Sequence, residues 1–355
     1  AKISLKLKNK SFITVVISLA FFAIYYFFCF RAQTIISDFV ANAVTYGEKI
    51  KGAAYPIYLF GCVALGNGKA IAVVTAVVLA LFGVMWLLLG RSFLKIATSS
   101  GKTERRMYRE TRTQRKSIGA ALLGKEFARF LSSPNYMLNC GLGVLLLPIS
   151  GIVLLIKGRD LMPMLAMAFD NQPGSAAVLL CTAVCVVASM NDMAAPSISL
   201  EGKNLWLLQS LPVKPWQALR AKLSVQLILT SIPALFASAC AAIAGGLSAV
   251  EALLTLLMPQ AVILMMALLN LTVGLKMPNL TWTSEIVPIK QSASVMIGLL
   301  GGMIYGILPI VGFLMFGHRM GANAYMACFM AFTLAISAGL YVWLKKKGGA
   351  AFAAL

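Results

Sequence analysis

The 355-residue sequence is poor in charged residues and poorest in acidic ones. Only 12% of its residues are charged and 60% are hydrophobic, and 11 Asp and Glu stand against 31 Lys and Arg. A soluble globular domain carries about 25% charged residues because it must cover its surface with them. The scarcity of charge therefore excludes an ordinary soluble domain and indicates that lipid is the solvent for most of the chain.

Residue patterns that carry catalysis or metal binding are also missing. The seven cysteines form no CxxC pair, and the one histidine, His318, lies in no Cys/His cluster, so neither a disulfide framework nor a zinc site is indicated. The nearest approach to a phosphate-binding loop is Gly101-Lys102-Thr103, but the first glycine of such a loop is replaced by Ile96. We therefore predict no enzyme activity and no catalytic, cofactor or metal site on this chain.

The net charge of +20 raises the question of a nucleic-acid partner. The basic residues lie between apolar blocks and form no single face with interleaved aromatic residues, as a nucleic-acid surface would. An anionic membrane surface or an acidic protein partner fits this distribution better, so we predict no nucleic-acid binding.

Eight apolar blocks are long enough, or nearly so, to cross about 30 Å of hydrocarbon as helices. Backbone groups in lipid must pair within their own segment, so the fold class is predicted to be all-α, a polytopic membrane protein with about eight transmembrane helices. The blocks are Phe12–Phe30, Ala70–Leu89, Met137–Ile156, Ser175–Met190, Leu223–Gly246, Ala249–Leu275, Ala293–Phe316 and Ala322–Leu344.

The distribution of Lys and Arg predicts the orientation, because cytoplasmic loops carry an excess of them. With the amino terminus inside, 24 of the 31 basic residues fall in inside segments and 7 in outside segments. An even number of spans preserves this alternation, so both termini are predicted to be cytoplasmic.

The segments between the spans hold two further candidate structures. Gly52–Gly66 is apolar but too short to span, and is predicted to be a re-entrant or interfacial segment. Residues 91–136 begin as a basic linker and end in Ser117–Phe130, predicted to be an amphipathic helix on the inner membrane surface. The predicted apolar face of this helix holds Leu122, Leu123, Phe127 and Phe130, and its polar side holds Lys125, Glu126 and Arg129.

The inner segment 193–222 is the most informative part of the sequence. A serine can cap a helix over Glu201–Leu211, Pro212 ends it, and Pro215 suits the first turn of the next helix. The first helix can be an anchor at the headgroup level or a knob that docks a soluble partner, and the residues alone leave both open. The docking residues would be Glu201, Gly202, Lys203, Asn204, Leu205, Trp206 and Leu208.

A stripe of glycines marks the seventh block. Gly298, Gly302 and Gly306 repeat every four residues and therefore lie on one helix face. Such a stripe predicts close packing against a neighbouring helix.

Two stretches resemble a known family of transporters. Leu200-Glu201-Gly202-Lys203-Asn204-Leu205-Trp206, followed by Ser210-Leu211-Pro212-Val213, resembles the cytoplasmic coupling loop of ATP-binding-cassette permeases of the second export type. Leu123-Gly124-Lys125-Glu126-Phe127 with Ser132-Ser133-Pro134 is similar to the elbow helix that opens a membrane half in that family. The likeness is to the bacterial form with two membrane halves on one chain, and it covers Ser117–Leu355.

The resemblance implies a division of the chain into three parts. Residues 1–90 would be the last two spans of a preceding half, 91–136 a linker and elbow helix, and 137–355 a six-span half with its coupling loop. On this interpretation a further amino-terminal part is expected before Ala1.

The resemblance also implies a function. The chain would be the permease subunit of an ATP-driven exporter in a bacterial plasma membrane, and a separate ATPase subunit would dock on the coupling loop. Membrane lipid and a second copy or second membrane half are the other expected partners. The alternative is a membrane scaffold or assembly protein with no transport cycle, and an ATPase gene beside this one would favour the permease.

Overall fold

A computed structural model describes residues 10–42, 45, 48, 51–52, 55–97, 116–167 and 173–355. These described residues form helices and connecting turns, with no strand among them. The chain divides into two units, one of residues 18–114 and one of residues 1–17 with 115–355.

The first unit contains most of α1 (Lys10–Ala41), together with α2 (Tyr55–Ala64) and α3 (Gly68–Ala97). Helices α1 and α3 are each long and apolar enough to span a membrane, and α2 is a short apolar helix within the predicted re-entrant segment. Asn67 begins α3, because its side-chain Oδ1 accepts a hydrogen bond from the Lys69 amide at 3.1 Å. Most of the predicted basic linker, residues 98–115, lies outside the described residues, as does Gly101-Lys102-Thr103.

The second unit contains the remaining helices. They are α4 (Ile118–Ser132), α5 (Pro134–Cys140), α6 (Leu142–Met167), α7 (Ser175–Ser189), a 3₁₀-helix (Ser199–Asn204), α8 (Leu205–Gln209), α9 (Pro215–Ala244), α10 (Ala249–Lys276), α11 (Ile286–Lys290), α12 (Ala293–Met320), α13 (Ala322–Trp343), a π-helix (Leu344–Gly348) and α14 (Gly349–Ala353).

All eight predicted blocks fall on helices, which confirms a polytopic helical membrane protein. Among the described residues six spans qualify by length and hydropathy, and α5 with α6 makes a seventh that is bent by 53°. Helix α7 is apolar but has only 15 residues. The third predicted block, Met137–Ile156, is not one straight helix. It breaks at Gly141, where the Phe130 ring occupies the space that a Cβ would need.

Helix α10 lies at the centre of the second unit and packs against α7, α9, α12 and α13. It starts with a capping box, in which the Ser248 side chain accepts from the Glu251 amide and the Glu251 side chain accepts from the Ser248 amide. Its buried side chains are almost all apolar, including Met258, Leu268 and Leu271. The central helix thus positions α9, one of the elements that carry the candidate site.

The glycine stripe of α12 faces other helices at close range. A Cβ on Gly306 would lie 3.2 Å from Val186 Cα of α7, and one on Gly302 would lie 2.6 Å from Met266 Cε. A Cβ on Gly298 would lie 2.5 Å from Asn270 Oδ1 of α10. At these three glycines α12 lies close against α7 and α10.

Candidate functional site

Helix α4 turns a carboxylate toward the interior of the second unit. Leu122, Glu126 and Phe130 repeat every four residues and all three are buried. Glu126 therefore lies on the buried face, and its assignment to the polar side of an amphipathic helix was wrong. Phe127 is partly buried and packs against the apolar cluster that contains Phe130 and Tyr136.

Lys222 of α9 meets this carboxylate in the interior, where its own side chain is 0% exposed. Its Nζ lies 2.9 Å from Glu126 Oε1 and 2.7 Å from Glu201 Oε1, and it donates to the Ser197 carbonyl oxygen at 2.9 Å. A buried ammonium without partners would be strongly destabilising. Three acceptors for its three N–H groups remove that cost.

Glu201 of the 3₁₀-helix joins the same group from the other side. Its Oε1 also accepts from Lys125 Nζ at 2.8 Å, and its Oε2 accepts from an Arg129 guanidinium N–H at 2.6 Å. The side chain is 3% exposed. Five charged side chains from α4, the 3₁₀-helix and α9 thus form one ion-pair cluster: Lys125, Glu126, Arg129, Glu201 and Lys222.

The cluster keeps Glu201 ionised. Burial by itself would raise the pKa of Glu201, but the hydrogen bond from Arg129 and the charges of Lys222 and Arg129 outweigh it and hold that pKa well below its usual range. The same contacts raise the pKa of Arg129 above its usual value, although burial alone would lower it. Glu201 and Arg129 therefore stay charged at neutral pH, and charge-assisted hydrogen bonds join the three structural elements.

Gly202 follows the cluster and turns the chain sharply. Its φ of 53° and ψ of −137° lie in a region that residues with a Cβ rarely adopt. The Trp282 ring covers this glycine, and the Trp282 indole N–H donates to the Ser199 carbonyl oxygen at 2.6 Å. Beside it, the Asn279 amide donates to Ser199 Oγ at 3.0 Å. The segment after α10 thus holds the loop from a third direction.

The turn at Gly202 divides the helix that was predicted over Glu201–Leu211. The chain instead forms the 3₁₀-helix and the five-residue α8, which ends at Gln209 before Pro212. Of the seven predicted docking residues, Glu201, Gly202, Leu205 and Leu208 are buried, whereas Lys203, Asn204 and Trp206 are exposed.

The exposed side of this loop is small and mixed in character. Trp206 is 61% exposed and Leu207 is 49% exposed, beside the charged Lys203 and the polar Asn204. We call these four residues the loop tip. Leu205 and Leu208 anchor the tip from beneath, because they belong to the apolar core that α9 and α10 share.

A second polar group lies deeper, at the end of α7. Gln226 Oε1 accepts from the Ala194 amide at 2.9 Å, and Gln226 Nε2 donates to the Asn191 carbonyl oxygen at 2.7 Å. Asp192 Oδ1 and both side-chain amide atoms of Asn191 are buried without a hydrogen-bond partner among the described residues. Burial raises the pKa of Asp192 to about 7, although a hydrogen bond with Cys140 opposes the rise.

Asp192 predicts a pH dependence of stability. Its folded-state pKa of about 7 lies above its ordinary value of 3.8, so its contribution to stability is largest below that ordinary value and is lost as the pH rises toward 7. We expect the free energy of unfolding to fall by about 1 kcal/mol for each pH unit between roughly pH 5 and 7. Asp192→Asn should lack this dependence.

Thermal unfolding in detergent across this range measures the effect. The ionised Glu201 contributes a constant amount there, because the range lies above its ordinary pKa of 4.5. Asn191→Asp or Glu251→Gln is not an adequate control, since the first adds a buried charge and the second removes a helix cap. Asp160→Asn, an exposed carboxylate on α6, is the matched control. A parallel decline of wild type and Asp192→Asn would contradict the assignment.

Sequence reasoning missed Lys222, Asn279 and Trp282, and it predicted Ser197 or Ser199 only as a helix cap, a role that neither side chain has in the structure. Lys222 gave a signal, because a lone ammonium beside an apolar run needs a buried partner. The described residues hold no group of three or more His, Cys, Asp or Glu side chains arranged to bind a metal ion.

Comparison with known proteins identifies the family. The family described as "Membrane protein of 12 TMs" matches residues 2–342, nearly the whole chain. The chain belongs to this family. It is accordingly an integral multi-pass membrane protein. No curated protein and no solved structure matches it.

Proposed function

We propose that the chain is the membrane-spanning permease subunit of an ATP-driven exporter, and that the loop tip docks a separate ATPase subunit. The observation that carries the proposal is a loop with an exposed tryptophan, Trp206, whose base is fixed by the buried Glu201. Exposed aromatic residues on a rigid support are frequent anchors of protein interfaces. The likeness of Leu200–Trp206 to a coupling loop supports the same assignment.

The connections of the loop supply a route for force. A push on the loop tip reaches α4 through the Arg129 ion pair, α9 through the Lys222 ion pair and the segment after α10 through Trp282. Tilting of these helices would then open a path for the substrate. Each link is a short hydrogen bond between well-packed groups, so the loop moves as one body with the helix ends.

The proposal places the loop and both termini in the cytoplasm of a bacterial cell. Exposed basic residues are gathered around the same part of the second unit, which supports this orientation. They are Lys203, Lys214, Arg220, Lys276, Lys290, Lys345, Lys346 and Lys347.

Trp206→Ala combined with Lys203→Glu is expected to weaken retention of the ATPase about 30-fold, because loss of an interface anchor costs about 2 kcal/mol. The measurement is co-purification of the chain with an ATPase subunit encoded by a neighbouring gene, after co-expression. Both substituted residues are exposed, so the melting temperature of the double variant should stay close to that of wild type.

Met277→Ala is the matched control, since it removes an exposed apolar side chain next to the end of α10 and leaves the loop tip intact. It should retain the ATPase as wild type does. Undiminished retention by the double variant would overturn docking at the loop tip. If the wild-type chain retains no ATPase at all, the scaffold function replaces the permease.

A further inference from the structure

A groove with a positive end runs between α4 and α9. Its volume is about 310 Å³, and its lining residues are Gly119, Leu123, Gln217, Arg220, Ala221 and Ser224. Arg220 is exposed there and no acidic residue lines the groove. The nearest carboxylate on α4, that of Glu126, is buried and bound to Lys222. The charge of this end is therefore uncompensated by the lining and suits an anionic group.

A second, apolar groove lies between α6 and α9. Its volume is about 580 Å³, and every residue that lines it is apolar. The lining residues are Val144, Pro148 and Ile152 of α6 and Ile228, Leu229, Ile232, Pro233 and Phe236 of α9.

The two grooves follow one another along α9, and their lining residues wind gradually around the helix. Ser224 of the first and Ile228 of the second are four residues apart, one helical turn, and Ile232 and Phe236 continue the series. Leu123 from the first groove and Leu229 from the second pack against the same apolar cluster. The positive groove and the apolar groove therefore adjoin along α9, and we call the two together the channel.

The length of this channel matches one leaflet of a membrane. Arg220 and Phe236 are 16 residues apart on α9, which corresponds to about 24 Å at 1.5 Å per residue. One leaflet with its headgroup layer is about 20–22 Å thick, half of a bilayer of about 40–45 Å. A molecule seated with its anionic group at Arg220 would have its chain beside Ile228–Phe236.

We propose that this channel is a binding site for one anionic phospholipid, whose phosphate pairs with Arg220 and whose acyl chain lies against Ile232. Three features favour an anionic phospholipid over a neutral one. The channel is positive at one end, apolar at the other, and about one leaflet deep. The bound lipid lies against Gly119 and Leu123 of α4, so it supports the elbow helix from the membrane. The assignment does not depend on the docking of an ATPase.

Binding can be measured by native mass spectrometry of the purified chain in neutral detergent. The probes are palmitoyl-oleoyl phosphatidylglycerol and the zwitterionic phosphatidylcholine with the same chains. We expect Arg220→Gln to weaken phosphatidylglycerol binding about tenfold and to leave the weak phosphatidylcholine binding unchanged. Ile232→Trp, which fills the apolar groove, should weaken the binding of both lipids.

Two control variants carry matched changes elsewhere. Lys290→Gln removes an exposed positive charge from α11, and Ile304→Trp enlarges an exposed apolar residue of α12. Both should bind phosphatidylglycerol as wild type does. If Ile232→Trp fails to fold, the comparison of Arg220→Gln with Lys290→Gln decides alone.

Three results would overturn the site. Equal binding of phosphatidylglycerol by wild type and Arg220→Gln would show that Arg220 does not pair with the lipid headgroup. Complete displacement of the lipid by millimolar inorganic phosphate would show that the site binds an anion and that the acyl chain of the lipid contributes nothing. A wild-type dimer that Ile232→Trp dissociates, with lipid retention unchanged, would make the groove an interface between copies.

Discussion

Replacing Glu201 with Gln is expected to destabilise the chain by about 3–5 kcal/mol, because it breaks up a buried ionic group by removing one partner. The substitution removes three ion pairs at once, with Lys125, Arg129 and Lys222. It leaves three cations to share the single carboxylate of Glu126. The measurement is thermal or denaturant unfolding of the purified chain in detergent.

Two variants separate this cause from a general effect of changing the loop. Lys203→Gln alters an exposed charge two residues away and should change stability by less than about 0.5 kcal/mol. Glu201→Gln with Lys222→Met removes one charge of each sign and should recover part of the loss. A single variant Glu201→Gln that unfolds at the wild-type temperature would contradict the role of the cluster.

Acidification provides a second readout of the same residue. The pKa of Glu201 lies below its ordinary value of 4.5, so its stabilisation is present above that value and is lost as the pH falls below it. The stabilities of wild type and Glu201→Gln should therefore converge in acid.

The helices could be predicted from the sequence because lipid imposes a simple rule. An apolar block that enters a membrane must pair its own backbone groups, and length then indicates whether it spans. This rule located α1, α3, α9, α10, α12 and α13. It could not reveal the bend at Gly141, which depends on where the Phe130 ring packs.

The ion-pair cluster could not be predicted because its partners are distant in sequence. Lys222 is 96 residues from Glu126, and Glu201 is 72 residues from Arg129. The apolar periodicity correctly predicted that Glu126 lies on a helix, but it gave no information on which elements that helix packs against. The apolar repeat of Leu122 and Phe130 includes Glu126 at its middle position, and that coincidence was the available signal.

The shape of the loop was also beyond local reasoning. Glu201–Leu211 has the composition of a helix, and the contact that divides it comes from Trp282, which is 83 residues from Ser199. A glycine in a helical pattern is usually tolerated at a modest cost. Here Gly202 instead adopts a positive φ beneath the tryptophan ring, because the ion pairs of Glu201 fix the chain just before it.

Gly202→Ala is consequently expected to cost about 2–4 kcal/mol and to displace the loop tip. A Cβ at this position is unfavourable for two reasons. The backbone conformation is strained for any residue with a side chain, and the Cβ would lie 3.1 Å from Trp282 Cζ2. Relief of the close contact requires the ring to shift by a few tenths of an ångström, which strains the hydrogen bond from Trp282 to Ser199.

Gly124→Ala on α4 is the matched control, because a Cβ there has open space around it and lies in a regular helix. It should be neutral or stabilise by about 0.5–1 kcal/mol. Two measurements on the alanine variants test these consequences. Strain at Gly202→Ala should lower the melting temperature, and displacement of Trp206 should lower the amount of ATPase that co-purifies. If Gly202→Ala is as stable as Gly124→Ala, the ring does not hold this turn. If it is destabilised but retains the ATPase fully, Gly202 supports the fold and the position of the loop tip is set by Leu205 and Leu208.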